Sequence, residues 1–256
     1  MLASLRRVPL RLLTNSSMPF SARLAALALA FACAALPAFG ADRPAVLPDT
    51  MAQRVIACTS CHAKNQGTDA FFPRISGKPA GYLYNQLINF RDGRRQSPVM
   101  TYMVEHLPDA YLREIAEHFS NQHLEPPPVQ PTGVSQAVLE RGKLLVTRGD
   151  KAIRVPACVA CHGERLTGVA PAIPGLAGLP RDYVNAQFGA WKNKTRRAHA
   201  PDCMADIASR LSLDDVAAIS HWIGARALPA DPAPAAAAAI TRPLPLACGS
   251  AAEPSR

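Results

Sequence analysis

Two copies of one five-residue pattern constrain this chain of 256 residues more than any other feature. Residues 58–62 read Cys-Thr-Ser-Cys-His and residues 158–162 read Cys-Val-Ala-Cys-His, so both are C-x-x-C-H. Two thiols one helical turn apart can add to the two vinyl groups of a haem, and the adjacent histidine then reaches the iron. The sequence therefore predicts two covalently attached c-type haems. Their thioethers would come from Cys58, Cys61, Cys158 and Cys161, and their proximal iron ligands would be His62 and His162.

Two other kinds of site contain C-x-x-C pairs, namely zinc sites and thiol–disulfide exchange sites. A zinc ribbon would place its two pairs about 15–20 residues apart, whereas these pairs start 100 positions apart. A thioredoxin-like exchange site would need a βαβ setting. Neither alternative explains why a histidine follows both pairs, so haem attachment is favoured.

The first 40 residues predict an export signal. They are basic and lack acids, residues 24–36 are apolar, and Ala38-Phe39-Gly40 fits a small-residue cleavage site. A membrane anchor is the alternative, but the apolar run is shorter than the roughly 20 residues needed to span a bilayer. We expect cleavage near Gly40 and a periplasmic mature protein. Met18 is an alternative start that keeps the apolar run.

The basic charge does not predict nucleic-acid binding. Removing the four arginines of the signal lowers the formal net charge from +9 to +5, and the propionates of two haems would lower it further. No Lys/Arg run with interleaved aromatic residues is present. Weak electrostatic docking to redox partners remains compatible with this charge.

The mature chain is predicted to contain two small domains, at 41–125 and 132–228. The Pro-rich segment 126–131 between them favours an extended, semi-rigid linker. From 229 to 256 the chain is rich in Ala and Pro, has little to bury, and is predicted to be disordered.

The two halves are similar beyond the haem motifs, which indicates a duplication. Residues 72–77 (Phe-Pro-Arg-Ile-Ser-Gly) match residues 173–178 (Ile-Pro-Gly-Leu-Ala-Gly). Further matched pairs are Tyr82 and Tyr183, Gln86 and Gln187, and Phe90 and Trp191.

Helical periodicity predicts an all-α fold. Leu112, Ile115, Ala116 and Phe119 form one apolar stripe, and Val216, Ile219, Trp222 and Ile223 form another. Residues 212–215 resemble a capping box, and Gly142 would allow two helices to approach closely. No convincing alternating strand is present.

Met100 and Met204 are the predicted sixth iron ligands. They follow their histidines by 38 and 42 residues, each in the loop before the last helix of its half. Methionine ligation raises the potential and suits electron transfer. The alternative is that both are core methionines, and Met103 competes with Met100 as the ligand in the first half.

Over residues 50–226 the chain resembles the two-domain dihaem cytochromes of the c4 type. The resemblance implies an all-α fold of two tandem class I cytochrome c domains, each wrapped around one His/Met-ligated haem c. It also implies that carbonyls near Pro73 and Pro174 accept Nδ1–H bonds from the haem histidines, and that Arg74 could reach a propionate. The counterpart of Arg74 is Gly175, so such a propionate role would not be shared.

The expected function is electron transfer without a substrate, between redox proteins such as a membrane-bound donor complex and a terminal oxidase or dehydrogenase. Family members often work at the membrane face, so peripheral membrane association stays open. One alternative is a dihaem peroxidase-like enzyme, which needs a labile sixth ligand. Another is a dedicated cytochrome subunit of a periplasmic dehydrogenase.

Two cysteines remain after export and haem attachment, Cys203 and Cys248. An oxidising compartment permits a disulfide between them, which would bring the tail beside the ligand loop that contains Met204. Two independent thiols are the favoured expectation, with Cys203 buried as a small apolar residue.

Overall fold

The computed structural model describes residues 49–62, 72–122 and 128–251. The predicted export signal and its cleavage site lie outside these residues. Helices dominate the described chain, in agreement with the all-α prediction. Within the described ranges, no helix combines the length and the apolar character that crossing a membrane requires.

The helices of the first half are α1 Met51–Arg54, α2 Ile56–Thr59, α3 Ala80–Arg91, α4 Pro98–Val104 and α5 Asp109–Ser120. Those of the second half are α6 Gln136–Thr147, α7 Val159–His162, α8 Arg181–Lys192, α9 Cys203–Arg210 and α10 Leu213–Gly224. A 3₁₀ turn follows at Ala237–Ala239.

No sequence pattern predicts the small antiparallel pair formed by β1 (Gly168–Val169) and β2 (Ile173–Pro174). Two residues per strand are too few for an alternating pattern to be detected. Gly168 has φ +90°, and a Cβ there would lie 2.5 Å from the carbonyl oxygen of Ile173. Glycine therefore permits this tight pairing, which places Pro174 close to α7.

One hydrophobic core lies in each predicted domain, within a single compact unit. The predicted stripe on α5 is fully buried, with Leu112 0% and Phe119 1% exposed. In the second half, α6 packs against α10. The domain boundaries themselves stay a prediction.

The last helix of each half begins differently. Ser212 caps α10 through a complete capping box with Asp215, as predicted. Pro108 occupies the corresponding position before α5 and provides no side-chain cap. At the α6–α10 contact, a Cβ on Gly142 would lie 2.8 Å from the Cβ of Trp222, which confirms the close approach.

The tail does not follow the expectation of disorder over residues 229–251. It lies against the second half and ends in a disulfide between Cys203 and Cys248, so the expectation of two independent thiols is wrong. The two Cα atoms lie 5.0 Å apart, within the range that a disulfide spans. Composition alone missed that Leu244 and Leu246 are partly buried.

Candidate haem sites

The first C-x-x-C-H motif lies at the end of α2. Cys58 is within that helix, and Cys61 and His62 come after its C-cap residue, Ser60. The Nδ1 atom of His62 lies 2.8 Å from the carbonyl oxygen of Pro73. Because a carbonyl only accepts, Nδ1 carries the proton and the lone pair of Nε2 is free. Burial lowers the pKa of His62 and keeps the ring neutral, as an iron ligand requires.

The second motif repeats this arrangement on α7, which Cys158 precedes and His162 ends. The Nδ1 atom of His162 lies 2.7 Å from the carbonyl oxygen of Pro174 in β2. Burial again lowers the pKa of His162. The carbonyl positions implied by the resemblance are therefore present in both halves, and each fixes the orientation of its histidine.

Met100 and Met204 lie in short helices, α4 and α9, rather than in the predicted loops. Each helix has a side-chain cap. The hydroxyl oxygen of Ser97 accepts from the Met100 amide at 3.5 Å, and a carboxylate oxygen of Asp202 accepts from the Ala205 amide at 3.0 Å. Both methionines are partly buried against the core of their half.

The competitor Met103 lies one turn after Met100 on α4 and packs against the same core. Positions three residues apart share a helix face. Packing alone therefore does not distinguish the two methionines.

In the second half, all four predicted haem contacts line one cavity. They are Cys158, Cys161, His162 and Met204, and the apolar part of the wall includes Leu176, Phe188, Trp191, Ile219 and Ile223. The indole Nε1 of Trp191 is buried and finds no acceptor among the described residues. A buried donor without a partner is costly, so this wall fits a bound group that carries an acceptor.

A polar cluster that the sequence analysis missed joins the two halves. Arg95 donates to the side-chain oxygens of Gln86 at 3.1 Å and Gln187 at 2.8 Å. Arg196 donates to the same two oxygens, at 3.1 Å for Gln86 and 2.6 Å for Gln187. Each arginine thus bridges its own half and the other half. We call these four residues the interdomain cluster.

Main-chain bonds and two tyrosines surround the interdomain cluster. The Arg197 amide donates to the carbonyl of Arg94 at 2.7 Å. The guanidinium groups lie beside the hydroxyls of Tyr82, 3.4 Å from Arg196, and Tyr183, 3.5 Å from Arg95. Burial alone would raise the pKa of Tyr183, but the nearby arginines and Lys78 lower it to about 8.

A constant offset in the sequence could have revealed this cluster. Tyr183 follows Tyr82, Gln187 follows Gln86 and Arg196 follows Arg95, each by 101 positions. The tyrosines and glutamines are recognisable as repeats. Arginines are common on protein surfaces, so the repetition of Arg95 at Arg196 does not by itself indicate a shared role.

Positive charge accumulates at this contact between halves. Among the described residues, no acidic side chain forms an ion pair with Arg95 or Arg196. Arg196 is only 7% exposed, and desolvation lowers its pKa. A buried cation needs a counter-charge, and the carboxylates of haem propionates would supply it. Arg74 instead donates to the carbonyl of Gly178 at 3.0 Å, which is another contact between the halves.

Comparison with known proteins gives relatives along about two thirds of the chain. No model of a known protein family matches it. It is 35% identical to the thiosulfate dehydrogenase electron acceptor of Thiomonas intermedia over 67% of this chain and 79% of that protein. It is 32% identical to cytochrome c4 of Pseudomonas aeruginosa over 66% of this chain and 84% of that protein.

A solved structure is similar as well. Reduced cytochrome c4 from Pseudomonas stutzeri superimposes with a TM-score of 0.55 at 26% identity, covering 68% of this chain and 95% of that chain.

Proposed function

Because this chain belongs to the family of c4-type dihaem cytochromes, we propose that it binds two haems c and passes electrons between periplasmic redox proteins. It is an electron-transfer protein rather than an enzyme. The observation that carries the proposal is the paired histidine arrangement, in which His62 and His162 each donate Nδ1–H to a proline carbonyl. A bound haem supplies a one-electron couple between ferric and ferrous iron.

The chain's own residues hold each haem from several sides. The thioethers are assigned to Cys58, Cys61, Cys158 and Cys161, and the iron ligands to His62, Met100, His162 and Met204. A neutral imidazole held at Nδ1 is oriented and made more basic toward iron. Methionine as the second protein ligand would favour the ferrous state, and an iron held by both side chains would not bind a substrate.

The interdomain cluster is assigned the role of balancing the negative charge of the haem propionates at the contact between the halves. Arg95 and Arg196 carry positive charge, and no acidic side chain among the described residues forms an ion pair with them. The Trp191 indole N–H also has no described partner. It would donate a hydrogen bond to the group bound in the cavity of the second half.

For the physiological donor, we propose a dehydrogenase that oxidises a reduced sulfur compound such as thiosulfate. The support is the 35% identity to the thiosulfate dehydrogenase electron acceptor of Thiomonas intermedia. A dedicated subunit of such an enzyme and a free carrier both fit this likeness. Export through the predicted signal would bring the chain to the compartment where the haems are attached.

Mass and optical measurements on the exported protein test the cofactor assignment. The mature polypeptide should start near Ala41. The mass of the denatured protein should exceed the mass of that polypeptide by two haem masses. A reduced-minus-oxidised spectrum should show haem c with a methionine–iron signature in the ferric state. A zinc-containing, colourless protein would overturn the proposal. Cys58→Ala and Cys158→Ala should each weaken one covalent attachment.

The donor assignment is tested by reduction kinetics. Purified ferric protein is mixed with thiosulfate, with and without a thiosulfate dehydrogenase, and haem reduction is followed by stopped flow. Fast reduction only when the enzyme is present supports the proposal. If an unrelated dehydrogenase reduces the haems at the same rate, the donor assignment is wrong and the protein is a general electron carrier.

A further inference from the structure

The tail, residues 229–251, is fastened to the second half at its beginning. Asp231 pairs with Arg165 at 3.3 Å. The amide of Ala235 then donates to the carbonyl of Gly168 in β1 at 2.9 Å. The tail therefore starts its path on the strand pair that positions the second haem histidine.

Its far end is fastened beside the second methionine. Cys248 forms the disulfide with Cys203, the residue directly before Met204 on α9. The amide of Gly249 donates to the carbonyl of Pro201 at 2.9 Å. A covalent bond and a hydrogen bond thus hold the tail against the start of the helix that presents Met204.

The last described residues also reach the first half. The carbonyl of Ser250 accepts from the side-chain amide of Asn85 on α3 at 3.2 Å. Its hydroxyl accepts from the amide of His199 at 3.2 Å. Three separate parts of the chain therefore meet at one residue of the tail.

Between these attachments the tail forms part of the wall of the second haem cavity. From position 244 to 250 every second residue lines that cavity, namely Leu244, Leu246, Cys248 and Ser250, and Ala251 lines it as well. The intervening positions 243, 245, 247 and 249 are exposed. Alternation with a period of two is the pattern of an extended segment with one face buried. The two leucines of the tail face inward, which suits a wall against a haem.

The first haem site differs on the corresponding side. Val99 and Tyr102, which flank Met100 on α4, are 64% and 76% exposed. The chain after α5 leads away to the second half, where Gln130 bonds to Gly224 and Arg181. The described residues thus place no comparable segment of the chain's end over α4.

We propose that the tail is a fixed cover of the second haem site, which holds Met204 in place and keeps small external ligands and water from the second iron. The proposal rests on the proposed function, because it presupposes that Met204 ligates a haem. The tail must open before an external ligand binds the second iron. The apparent affinity for that ligand therefore equals the intrinsic affinity multiplied by the fraction of protein in which the tail is open.

Imidazole titration of the full-length ferric holoprotein tests the cover. Imidazole replaces methionine and abolishes the far-red absorption of the thioether–iron bond. In Met100→Ala only Met204 contributes this absorption, so the second site is measured alone. Met204→Ala reports the first site in the same way.

We expect the second site to bind imidazole about tenfold or more weakly than the first. Replacing both cysteines, Cys203→Ser with Cys248→Ser, in the Met100→Ala background should raise its affinity by a similar factor. The same pair in the Met204→Ala background should leave the first site unchanged. Leu246→Asn, which keeps the disulfide, should give a smaller rise, and Leu213→Asn, exposed and outside the cavity, should give none.

Each outcome decides a different point. The cover is overturned if the cysteine pair and Leu246→Asn both leave the imidazole affinity of the second site within about twofold of that of the Met100→Ala parent. The proposed function would remain intact. If Met100→Ala shows no thioether absorption at all although two haems are bound, the assignment of Met204 fails, and the cover fails with it.

Discussion

The two halves of the chain orient the histidines of their C-x-x-C-H motifs in the same way but surround Met100 and Met204 differently. The Nδ1-to-carbonyl distances are 2.8 Å and 2.7 Å. Around Met100, α4 exposes Val99 and Tyr102, whereas the residue before Met204 is bonded covalently to the tail.

This difference shows which parts of a duplicated domain can diverge. The histidine and its carbonyl acceptor lie within one short stretch of each repeat, so duplication copies them together. Protection of the methionine side comes from a segment outside the repeat. Two similar ligand sets can therefore be placed in unequal surroundings without change to either motif.

Removal of each methionine should have the largest effect and should sharpen the comparison. Met100→Ala and Met204→Ala should each abolish one thioether–iron absorption and lower one midpoint potential by on the order of 0.1 V or more, because axial ligands set haem potentials over about 0.8 V. A spectroelectrochemical titration measures both. Met103→Ala is the matched control. If it and not Met100→Ala produces the change, Met103 is the ligand in the first half.

Gly142→Ala should selectively destabilise the second half. Its Cβ would lie 2.8 Å from the Cβ of Trp222 and would press on the backbone of α10. Overpacking of this kind costs about 1–3 kcal/mol. Thermal unfolding followed at the haem absorption measures it. Gly189 on α8 has nothing within 4 Å of a Cβ, so Gly189→Ala should be neutral or slightly stabilising. Equal losses in both variants would contradict the close helix contact.

Ser212→Ala should lower the free energy of unfolding by about 1 kcal/mol, because α10 would lose its capping box with Asp215. Denaturant titration gives this value. The corresponding Pro108 of the first half has no side-chain cap to lose. Pro108→Ala should therefore cost less, and a larger loss there would show that the two helix starts are not differently stabilised.

Arg141→Gln should have the smallest effect, and one that depends on pH. Arg141 bonds to Asp150 at 2.7 Å and to Asp215 at 2.8 Å. The hydrogen bond from Arg141 lowers the pKa of Asp150. Burial alone would raise the pKa of Asp215, but hydrogen bonds from Arg141 and Ser212 lower it.

Groups with a lowered folded-state pKa stabilise the protein above their unfolded pKa, near 3.8, and lose this contribution as the pH falls through the folded pKa. Arg141→Gln should thus lower the melting temperature by about 2 °C at neutral pH, and the difference should vanish in acid. Arg54 joins α1 to Glu114 in the first half through exposed side chains, so Arg54→Gln should change less. A constant difference from pH 7 to pH 3 would contradict the assignment.

The sequence predicts the local parts of these sites well and the contacts between distant parts poorly. The motifs, the buried stripe of α5 and the capping box at Ser212 follow from spacing within a few residues. The interdomain cluster depends on how the halves pack, which no local pattern specifies. Two clues were nevertheless present, the offset of 101 positions between Arg95 and Arg196 and the alternating Leu244, Leu246 and Cys248 in the tail.

The disulfide of the tail has a consequence for the order of assembly. If the chain is exported as proposed, its second half brings four thiols into an oxidising compartment, those of Cys158, Cys161, Cys203 and Cys248. Four cysteines allow three complete pairings, and only haem attachment withdraws Cys158 and Cys161 from exchange. Cells that export this chain but cannot ligate haem should therefore accumulate mispaired forms, detectable by cystine mapping as bonds from the motif to Cys203 or Cys248. Haem attachment would then direct the formation of a bond in which the haem takes no part.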